Sequence, residues 1–355
     1  MENLQMTERH RWIILDVMKA LCICMVIITH VSGITMETRK NMLWPFTILP
    51  AVPIFLMMSV FVFALAEDQK NGTVLSWFQW PTFWKRFNRF FLPQAIAIAV
   101  IIACLFAFRD MKRISAESIF KMFQTGGRGP GAYYVLIMYQ LLIVFPFMRM
   151  LFRKNQAVTV IGMVLLHIAF ETLCKSWQIN VVLYNSLIFR FFTHLALGML
   201  LYEYWDKLRH AALPAICIVI GTVYLINLYY LDYPPVMDYG NSTRGIIASL
   251  FSFGLLCYVL RAENLLTRIF KRGGVLCLAL RMVCYVGKAS YHIMLTQMVF
   301  FYFLRMFEIE MRLGSMWRVF LMDIGVSLSV GCLFYAIDQW MYSLIRQVGR
   351  KSGIY

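Results

Sequence analysis

The fold is decided by the stretch RWIILDVMKALCICMVIITH, residues 11–30. Most of it is apolar, and its length matches the roughly 20 residues that a helix needs to cross the hydrocarbon core of a bilayer. It nevertheless contains Asp16, Lys19 and His30. Ionisable side chains are costly inside a membrane and mark functional sites there. The sequence therefore predicts a first membrane helix whose polar residues serve a function within a bundle.

The whole chain has the composition of a polytopic membrane protein. Of its 355 residues, 61% are hydrophobic and 15% are charged, whereas soluble domains average about 45–50% apolar and about 25% charged residues. We predict an all-α integral membrane bundle of about ten transmembrane helices, forming one domain over residues 1–355 with a short basic tail at 346–355. The predicted helices are 12–34, 44–66, 88–108, 132–152, 157–174, 183–203, 212–231, 244–261, 283–304 and 317–345.

The positive charge of the chain is spread over loops. Lys and Arg outnumber Asp and Glu by 34 to 18, which gives a net charge of +16. Ten alternating helices put 19 Lys and Arg on the side of the N-terminus and 11 on the opposite side. Basic loops stay in the cytoplasm, so both termini are predicted to be cytoplasmic. A nucleic-acid-binding protein would gather its basic residues on one surface, and no nucleic-acid partner is expected.

Two features of the sequence bear on metals and processing. The nine cysteines include no CxxC pair, and no zinc or iron–sulfur spacing is present, so we expect reduced, buried thiols and no metal site. The first apolar run contains charges and precedes no small-residue cleavage site, so a cleaved signal peptide is not expected.

The polar residues of the first helix share one face. Lys19 and His30 are eleven residues apart, which corresponds to three helical turns plus about 20°. Asp16 lies three residues before Lys19 and can pair with it. Histidine suits proton transfer near neutral pH and can also carry an acyl group. The alternative is that Lys19 extends to the membrane surface and His30 is an interfacial residue.

Two further segments carry candidate residues. In WKRFNRFFLP, residues 84–93, the side chains of Lys85, Arg86 and Arg89 could clamp the phosphates of a cytoplasmic anion. The alternative is that they only anchor the membrane topology. In VGKASYHIMLTQ, residues 286–297, Ser290 and Tyr291 either line a site or mediate helix packing.

Three intramembrane residues and one loop stay without an assigned role at this point. Arg190 and His194 are one helical turn apart, and Glu171 lies in the fifth predicted helix. The basic loop 109–131 is predicted to lie outside, where it either binds an anionic partner or is a deviation without consequence.

The order of these motifs resembles that of the membrane acyltransferase-3 family of bacterial acyltransferases. Lys19 and His30 match a basic residue followed by ten positions and a histidine. PIFLMMSVF, residues 53–61, is similar to a second-helix motif around Phe55 and Ser59, although Val60 replaces the usual glycine. Arg86, Arg89 and Pro93 match a third-helix motif.

Three later segments extend the resemblance over nearly the whole chain. GPGAYYVLIMYQLLIVFP, residues 129–146, is similar to the start of the family's fourth helix, with Tyr134 in place of a common tryptophan. RFFTHLALGMLL, residues 190–201, resembles the sixth-helix pattern around Gly198. In the ninth predicted helix, Gln297 takes the place of a frequent histidine.

The resemblance implies an O-acyltransferase of the bacterial plasma membrane. Such enzymes move an acyl group, usually acetyl, from cytoplasmic acyl-CoA to a hydroxyl of an extracytoplasmic polysaccharide or glycolipid. Acetyl-CoA as donor, a glycan or glycolipid acceptor and the lipid bilayer are therefore the expected partners, and a homo-oligomer is left open. Outer loops such as 109–131 and 232–243 would recognise the acceptor.

The resemblance also implies roles for the candidate residues. His30 would act as general base or as acyl carrier. Lys19, paired with Asp16, would line the donor channel or stabilise the thioester oxyanion. The phosphates of CoA would bind to Lys85, Arg86 and Arg89. The substrate would be positioned by Tyr134, Ser290 and Tyr291.

Two other classes compete with an enzyme. A transporter or flippase for a glycolipid or anionic solute would use Asp16, Lys19, His30 and Glu171 as a substrate or proton path. Many transporters contain inverted repeats, and we detect none in this sequence. A sensor or scaffold without chemistry is the third class, and the polar stripe on the first helix argues against it.

Overall fold

The computed structural model describes residues 12–31, 34–69, 73–109, 114–231, 245–309 and 315–351. Every regular element within these ranges is a helix, as the sequence predicts, and no strand occurs among them. The predicted recognition loop at 232–243 and the last residues of the predicted tail lie outside the described residues.

Seventeen α-helices and one 3₁₀ turn make up the described structure. They are α1 (Ile13–His30), α2 (Met36–Asn41), α3 (Trp44–Thr47), α4 (Ala51–Asp68), α5 (Val74–Phe78), α6 (Trp80–Ala107), α7 (Ala116–Gln124), α8 (Tyr133–Lys154), α9 (Gln156–Ser176), α10 (Val181–Ser186), the 3₁₀ turn (Ile188–Phe191), α11 (Phe192–Glu203), α12 (Trp205–Leu208), α13 (Leu213–Tyr230), α14 (Ala248–Leu260), α15 (Glu263–Arg272), α16 (Gly274–Met306) and α17 (Met316–Lys351).

Nine helical stretches of the described chain are long and apolar enough to cross a membrane. Each overlaps one predicted helix, so the prediction of an all-α polytopic bundle is confirmed. They are Ile13–His30, Trp44–Asp68, Trp80–Ala107, Tyr133–Lys154, Gln156–Ser176, Leu213–Tyr230, Ala248–Arg272, Gly274–Met306 and Trp317–Leu344.

The sixth predicted helix, 183–203, is not continuous, and here the prediction was wrong. The segment consists of α10, the 3₁₀ turn and α11. Gln140 of α8 stabilises the break, because its Oε1 accepts from the backbone N–H of Ile188 at 3.0 Å and its Nε2 donates to the carbonyl of Ser186 at 2.6 Å. Non-helical backbone at membrane depth requires such internal partners. Average hydropathy does not register a break of this kind.

The third membrane helix begins eight residues before its predicted start. Helix α6 starts at Trp80 rather than at residue 88, with Pro81 in its first turn, where the fixed φ of proline favours helix initiation. The charged residues at 85–89 hid this start from an argument based on apolar runs. The basic motif is therefore part of a rigid helix rather than of the loop before it.

Helix α1 lies at the centre of the bundle, against α4, α16 and α17. Its contact with α16 requires Gly287, because a Cβ atom at this position would lie 1.8 Å from the carbonyl oxygen of Asp16. Small residues allow such close approach of membrane helices. This crossing holds the motif with Ser290 and Tyr291 beside Asp16 and Lys19.

The start of α1 is fixed by a carboxylate from α15. The Glu263 side chain accepts hydrogen bonds from the backbone N–H groups of Ile13 at 3.2 Å and Ile14 at 2.8 Å. Thr267 donates to the same carboxylate at 3.0 Å. A negative charge at a helix N-terminus satisfies free N–H groups and interacts favourably with the helix dipole. These contacts fix the position of the first turn of α1, from which its polar face extends.

An ion cluster joins the C-terminal ends of α4, α8 and α11. Arg149, only 2% exposed, contacts Asp68 at 3.0 Å and Glu203 at 3.1 Å, and its Nε lies 3.9 Å from Glu67. The second, fourth and interrupted sixth segments therefore end at the same face of the bundle, which we call the Arg149 face. The interrupted segment runs beside α8 from Gln140 to this face.

Candidate active site

All nine predicted site residues line one cavity of about 1060 Å³ inside the bundle. Its walls come from α1, α4, α6, α8, α16 and α17. The residues were chosen from motifs that are far apart in the sequence, and the fold brings them together. They are Asp16, Lys19, His30, Lys85, Arg86, Arg89, Tyr134, Ser290 and Tyr291.

Helix α1 supplies the central wall of the cavity. The Nζ atom of Lys19 lies 3.8 Å from Oδ1 of Asp16, so the pair expected from their spacing is present. His30 is the last residue of α1, and its ring packs edge-on against Phe301 of α16 with 6.2 Å between the ring centroids. Asp16 and His30 are fourteen residues apart, or about 21 Å along the helix axis.

Arg86 is held by an aromatic ring that the sequence argument missed. Its guanidinium carbon lies 3.3 Å from the ring centroid of Trp77 in α5. Trp77 is 2% exposed and donates its indole N–H to the carbonyl of Leu142 at 3.0 Å. A cation over an indole face is attracted by the ring quadrupole. Lys85 and Arg89 are exposed beside this fixed guanidinium.

The basic residues and His30 occupy different depths of the cavity. Arg86 stacks on Trp77, which is bonded to Leu142, whereas His30 lies next to Gly131, just before α8 begins. Leu142 lies nine positions after the first residue of α8, which is about 14 Å along the axis. The cavity thus has a basic end, near Arg86, and a histidine end, near His30.

A glycine-rich loop closes the histidine end. Arg128 donates to the hydroxyl of Tyr302 at 3.1 Å and to Ser118, and this contact fastens the loop to α16 and α7. Gly131 has a φ of +82° in the left-handed region that favours glycine. A Cβ atom there would lie 3.7 Å from Nε2 of His30. Within the basic loop 109–131, Arg128 therefore makes its hydrogen bonds to other residues of the protein.

The substrate-positioning candidates differ in what they contact. The hydroxyl of Tyr291 donates to the carbonyl of Phe90 at 2.9 Å and so joins α16 to α6 beside the basic motif. Tyr134 packs against Phe55 with 6.1 Å between ring centroids. Tyr291 thus ties the two cavity walls together, which is a helix-packing contact of the kind that the sequence left open as an alternative.

A His–Asp pair in the cavity wall was missed by the sequence argument. Nε2 of His292 lies 3.1 Å from Oδ2 of Asp338 on α17, and both residues are buried and line the cavity. Asp338 stands in the apolar run FYAIDQW, residues 334–340. The rule that intramembrane acids are functional candidates would have identified it. Its pairing with a residue 46 positions away could not be read from the sequence.

None of the three unassigned polar residues lines the cavity: Arg190 and His194 belong to the interrupted segment, and Glu171 of α9 contacts it. Glu171 accepts from the hydroxyl of Tyr184 at 2.7 Å and lies 3.6 Å from Nε2 of His167. Arg190, 2% exposed, lies 4.3 Å from the ring of Tyr184, and the ring of His194 is 6.3 Å from that of His167. Glu171 therefore does not continue the polar path of α1, as a transporter would require.

No group of three or more His, Cys, Asp or Glu among the described residues is arranged to hold a metal.

The fold and the cavity define a multi-pass membrane protein whose bundle contains a cavity lined by ionisable and apolar residues. A family model described as an acyltransferase domain matches residues 12–336, and the chain belongs to this acyltransferase-3 family. The resemblance inferred from the six motifs is thus confirmed, and the protein is an acyltransferase. Comparison with curated proteins and with solved structures gave no match.

Proposed function

We propose that this acyltransferase moves an acyl group, with acetyl as the expected case, from acyl-CoA to a hydroxyl of a polysaccharide or glycolipid. The donor enters from the cytoplasm at the basic end of the cavity, and the acceptor reaches the histidine end from outside. The observation that carries the proposal is the placement of Arg86 and His30 in one cavity at different depths.

The size and polarity of the cavity support a CoA thioester as donor. Small-molecule sites usually measure about 300–1,000 Å³, and this cavity, at about 1060 Å³, slightly exceeds that range. The phosphates of CoA are separated from its thioester by the pantetheine arm. Such a ligand needs an anion site and a reactive group at different depths. Lys85, Arg86 and Arg89 would hold the phosphates, since guanidinium groups bind phosphate oxygens through paired hydrogen bonds.

The chemistry would take place at His30. As general base, its imidazole accepts the proton of the acceptor hydroxyl while the hydroxyl oxygen attacks the thioester carbonyl carbon. The carbon–sulfur bond then breaks, and the CoA sulfur takes the proton from the imidazolium, which leaves an ester and a free CoA thiol. As acyl carrier, a His30 ring nitrogen would attack the thioester carbon first, and the carbon–sulfur bond would break as the ring proton moves to sulfur to give CoA thiol. The acceptor hydroxyl would then take the acyl group and return its proton to the ring. Lys19, oriented by Asp16, would line the donor channel or stabilise the oxyanion.

The proposed reaction is tested by measuring turnover of the acyl donor by the purified protein. Labelled acetyl-CoA is supplied with a glycolipid extract as acceptor, and both the release of CoA thiol and the appearance of label in the glycolipid fraction are measured. We expect both signals to rise together and to require the acceptor. Transfer of label from another acyl donor, with none from acetyl-CoA or longer acyl-CoA, would contradict the proposal.

A further inference from the structure

Gln297 of α16 is a buried amide beside the histidine end of the cavity. Its side chain is fully buried, and within the described part of the chain neither its Oε1 nor its Nε2 has a hydrogen-bond partner. Burying an amide without a partner is costly, most of all in an apolar setting. Its neighbours include Ile293, Met298 and Phe301, which belong to an apolar cluster. The buried amide of Gln297 therefore lowers the stability of the protein, whereas a leucine or methionine at this position would not.

The amide and the imidazole of His30 face the same small space. A Cβ atom placed on Gly131 would lie 3.9 Å from Nε2 of Gln297 and 3.7 Å from Nε2 of His30. Because residue 131 is a glycine, this point carries no side-chain atom, and it lines the cavity. An atom of a bound substrate at this point would be in van der Waals contact with both nitrogens.

Helix packing does not account for the amide. Polar side chains in membrane proteins often join neighbouring helices by hydrogen bonds. Gln140 does so in this bundle, with both of its amide atoms bonded to the interrupted segment. Gln297 makes no such bond in the described structure. Its donors are thus left without an acceptor from the described residues, and Nε2 lies within 3.9 Å of the open position beside Gly131.

We propose that Gln297 donates a hydrogen bond to the carbonyl oxygen of the acyl group while that carbonyl reacts beside His30. This inference rests on the proposed function. When the nucleophile attacks the carbonyl carbon, the carbonyl π electrons move to oxygen, and Nε2–H of Gln297 stabilises the resulting oxyanion. The oxyanion then re-forms the carbonyl and expels the CoA sulfur. The same donor serves whether the nucleophile is the acceptor hydroxyl or His30 itself. Fixed donors aimed at developing negative charge are among the strongest contributions to catalysis.

The test replaces the amide by a side chain of similar length without a donor. Gln297→Met is expected to lower kcat on the order of 10²- to 10³-fold, as removal of one oxyanion donor does, with the KM for acetyl-CoA nearly unchanged. Because the buried amide has no partner, the thermal stability of this variant in detergent should be equal to or higher than that of the wild type. Gln297→His, which keeps an N–H donor, should recover part of kcat. Gln69→Met, at an exposed helix end, serves as the matched control.

The outcomes separate this inference from the function on which it rests. Wild-type kcat in Gln297→Met, while His30→Ala is inactive, would overturn the role of Gln297 and leave the proposed function standing. A loss of stability that parallels the loss of activity in Gln297→Met would also overturn it, since the amide would then be structural. If the wild type moves no acyl group from acyl-CoA, the proposed function fails.

Discussion

The contact between Arg86 and Trp77 supports the proposal that the basic motif binds an anion. A lysine or arginine that only anchors topology needs no aromatic support. Arg86 instead lies over a buried indole whose N–H is itself bonded to the backbone of α8. A guanidinium held in this way is pre-oriented toward the cavity, so less conformational freedom is lost when phosphate binds.

We expect Trp77→Leu to weaken CoA binding while the charge of the basic motif stays the same. A cation–π contact contributes about 0.5–2 kcal/mol, so the Kd for CoA should rise roughly 2- to 30-fold. Calorimetric titration with CoA measures this. Trp80→Leu is the control, because Trp80 is 68% exposed and does not line the cavity. Equal affinities for the two variants would show that Trp77 does not position Arg86.

Removing the guanidinium itself should have a larger effect. Charge-assisted hydrogen bonds contribute about 1.5–3 kcal/mol each, so Arg86→Ala should raise the Kd for CoA by roughly 10- to 150-fold. Arg268→Ala removes an exposed charge of α15 outside the cavity and should leave the Kd unchanged. An unchanged Kd in Arg86→Ala would return the motif to a purely topological role.

At the scale of the helices, two polar side chains hold elements that apolar packing alone would not define. Glu263 caps the N-terminus of α1, and Gln140 forms hydrogen bonds with the backbone at the break between α10 and α11. Both contacts join residues far apart in the sequence. They explain why hydropathy, which places the start of α1 within one residue, does not reveal the interruption of the sixth segment.

We expect Glu263→Ala to destabilise the protein by about 0.5–2 kcal/mol, the usual cost of removing a helix cap. Glu263→Gln should lose less, because an amide oxygen still accepts from the backbone although the charge is gone. The midpoint of thermal unfolding in detergent measures both. Identical midpoints for Glu263→Ala and the wild type would rule out the cap as a stabilising contact.

Gln140→Leu should destabilise the interrupted segment. The substitution leaves the N–H of Ile188 and the carbonyl of Ser186 without their partner, at a cost of about 1–3 kcal/mol for a buried group. Hydrogen exchange should accelerate at Ile188 and its neighbours more than in α8. Unchanged protection at Ile188 would mean that other contacts suffice to hold the break.

At the scale of the whole molecule, the motifs selected residues that share one cavity, whereas the boundaries of several helices were missed. The spacing of Asp16, Lys19 and His30 follows from helical geometry, so their common wall could be predicted from residue numbers alone. The basic motif was identified, but the start of its helix was missed, because charge interrupts an apolar run. The pairing of His292 with Asp338 and the convergence of Gln297 on Gly131 depend on how distant helices pack, which no local pattern encodes.

The orientation of the bundle can be tested with single exposed positions. If both termini are cytoplasmic, the Arg149 face is cytoplasmic and the loop with α7 lies outside. A membrane-impermeant thiol reagent should then label Glu117→Cys in intact cells and Asp206→Cys only after permeabilisation; both positions are exposed. The wild type gives the background from its nine cysteines. The reverse labelling pattern would place the basic end outside and contradict a cytoplasmic donor.

We propose above all that acyl transfer occurs at His30 inside the bundle. The most direct measurement compares label transfer from acetyl-CoA to a glycolipid acceptor by the wild type, His30→Ala and His210→Ala at equal membrane levels. His210 is exposed and lies outside the cavity, so its variant controls for the loss of a histidine. We expect His210→Ala to retain wild-type transfer and His30→Ala to lose it by about 10²–10⁴-fold, the usual contribution of a general base. Transfer at the wild-type rate in His30→Ala would contradict the assignment of chemistry to this residue.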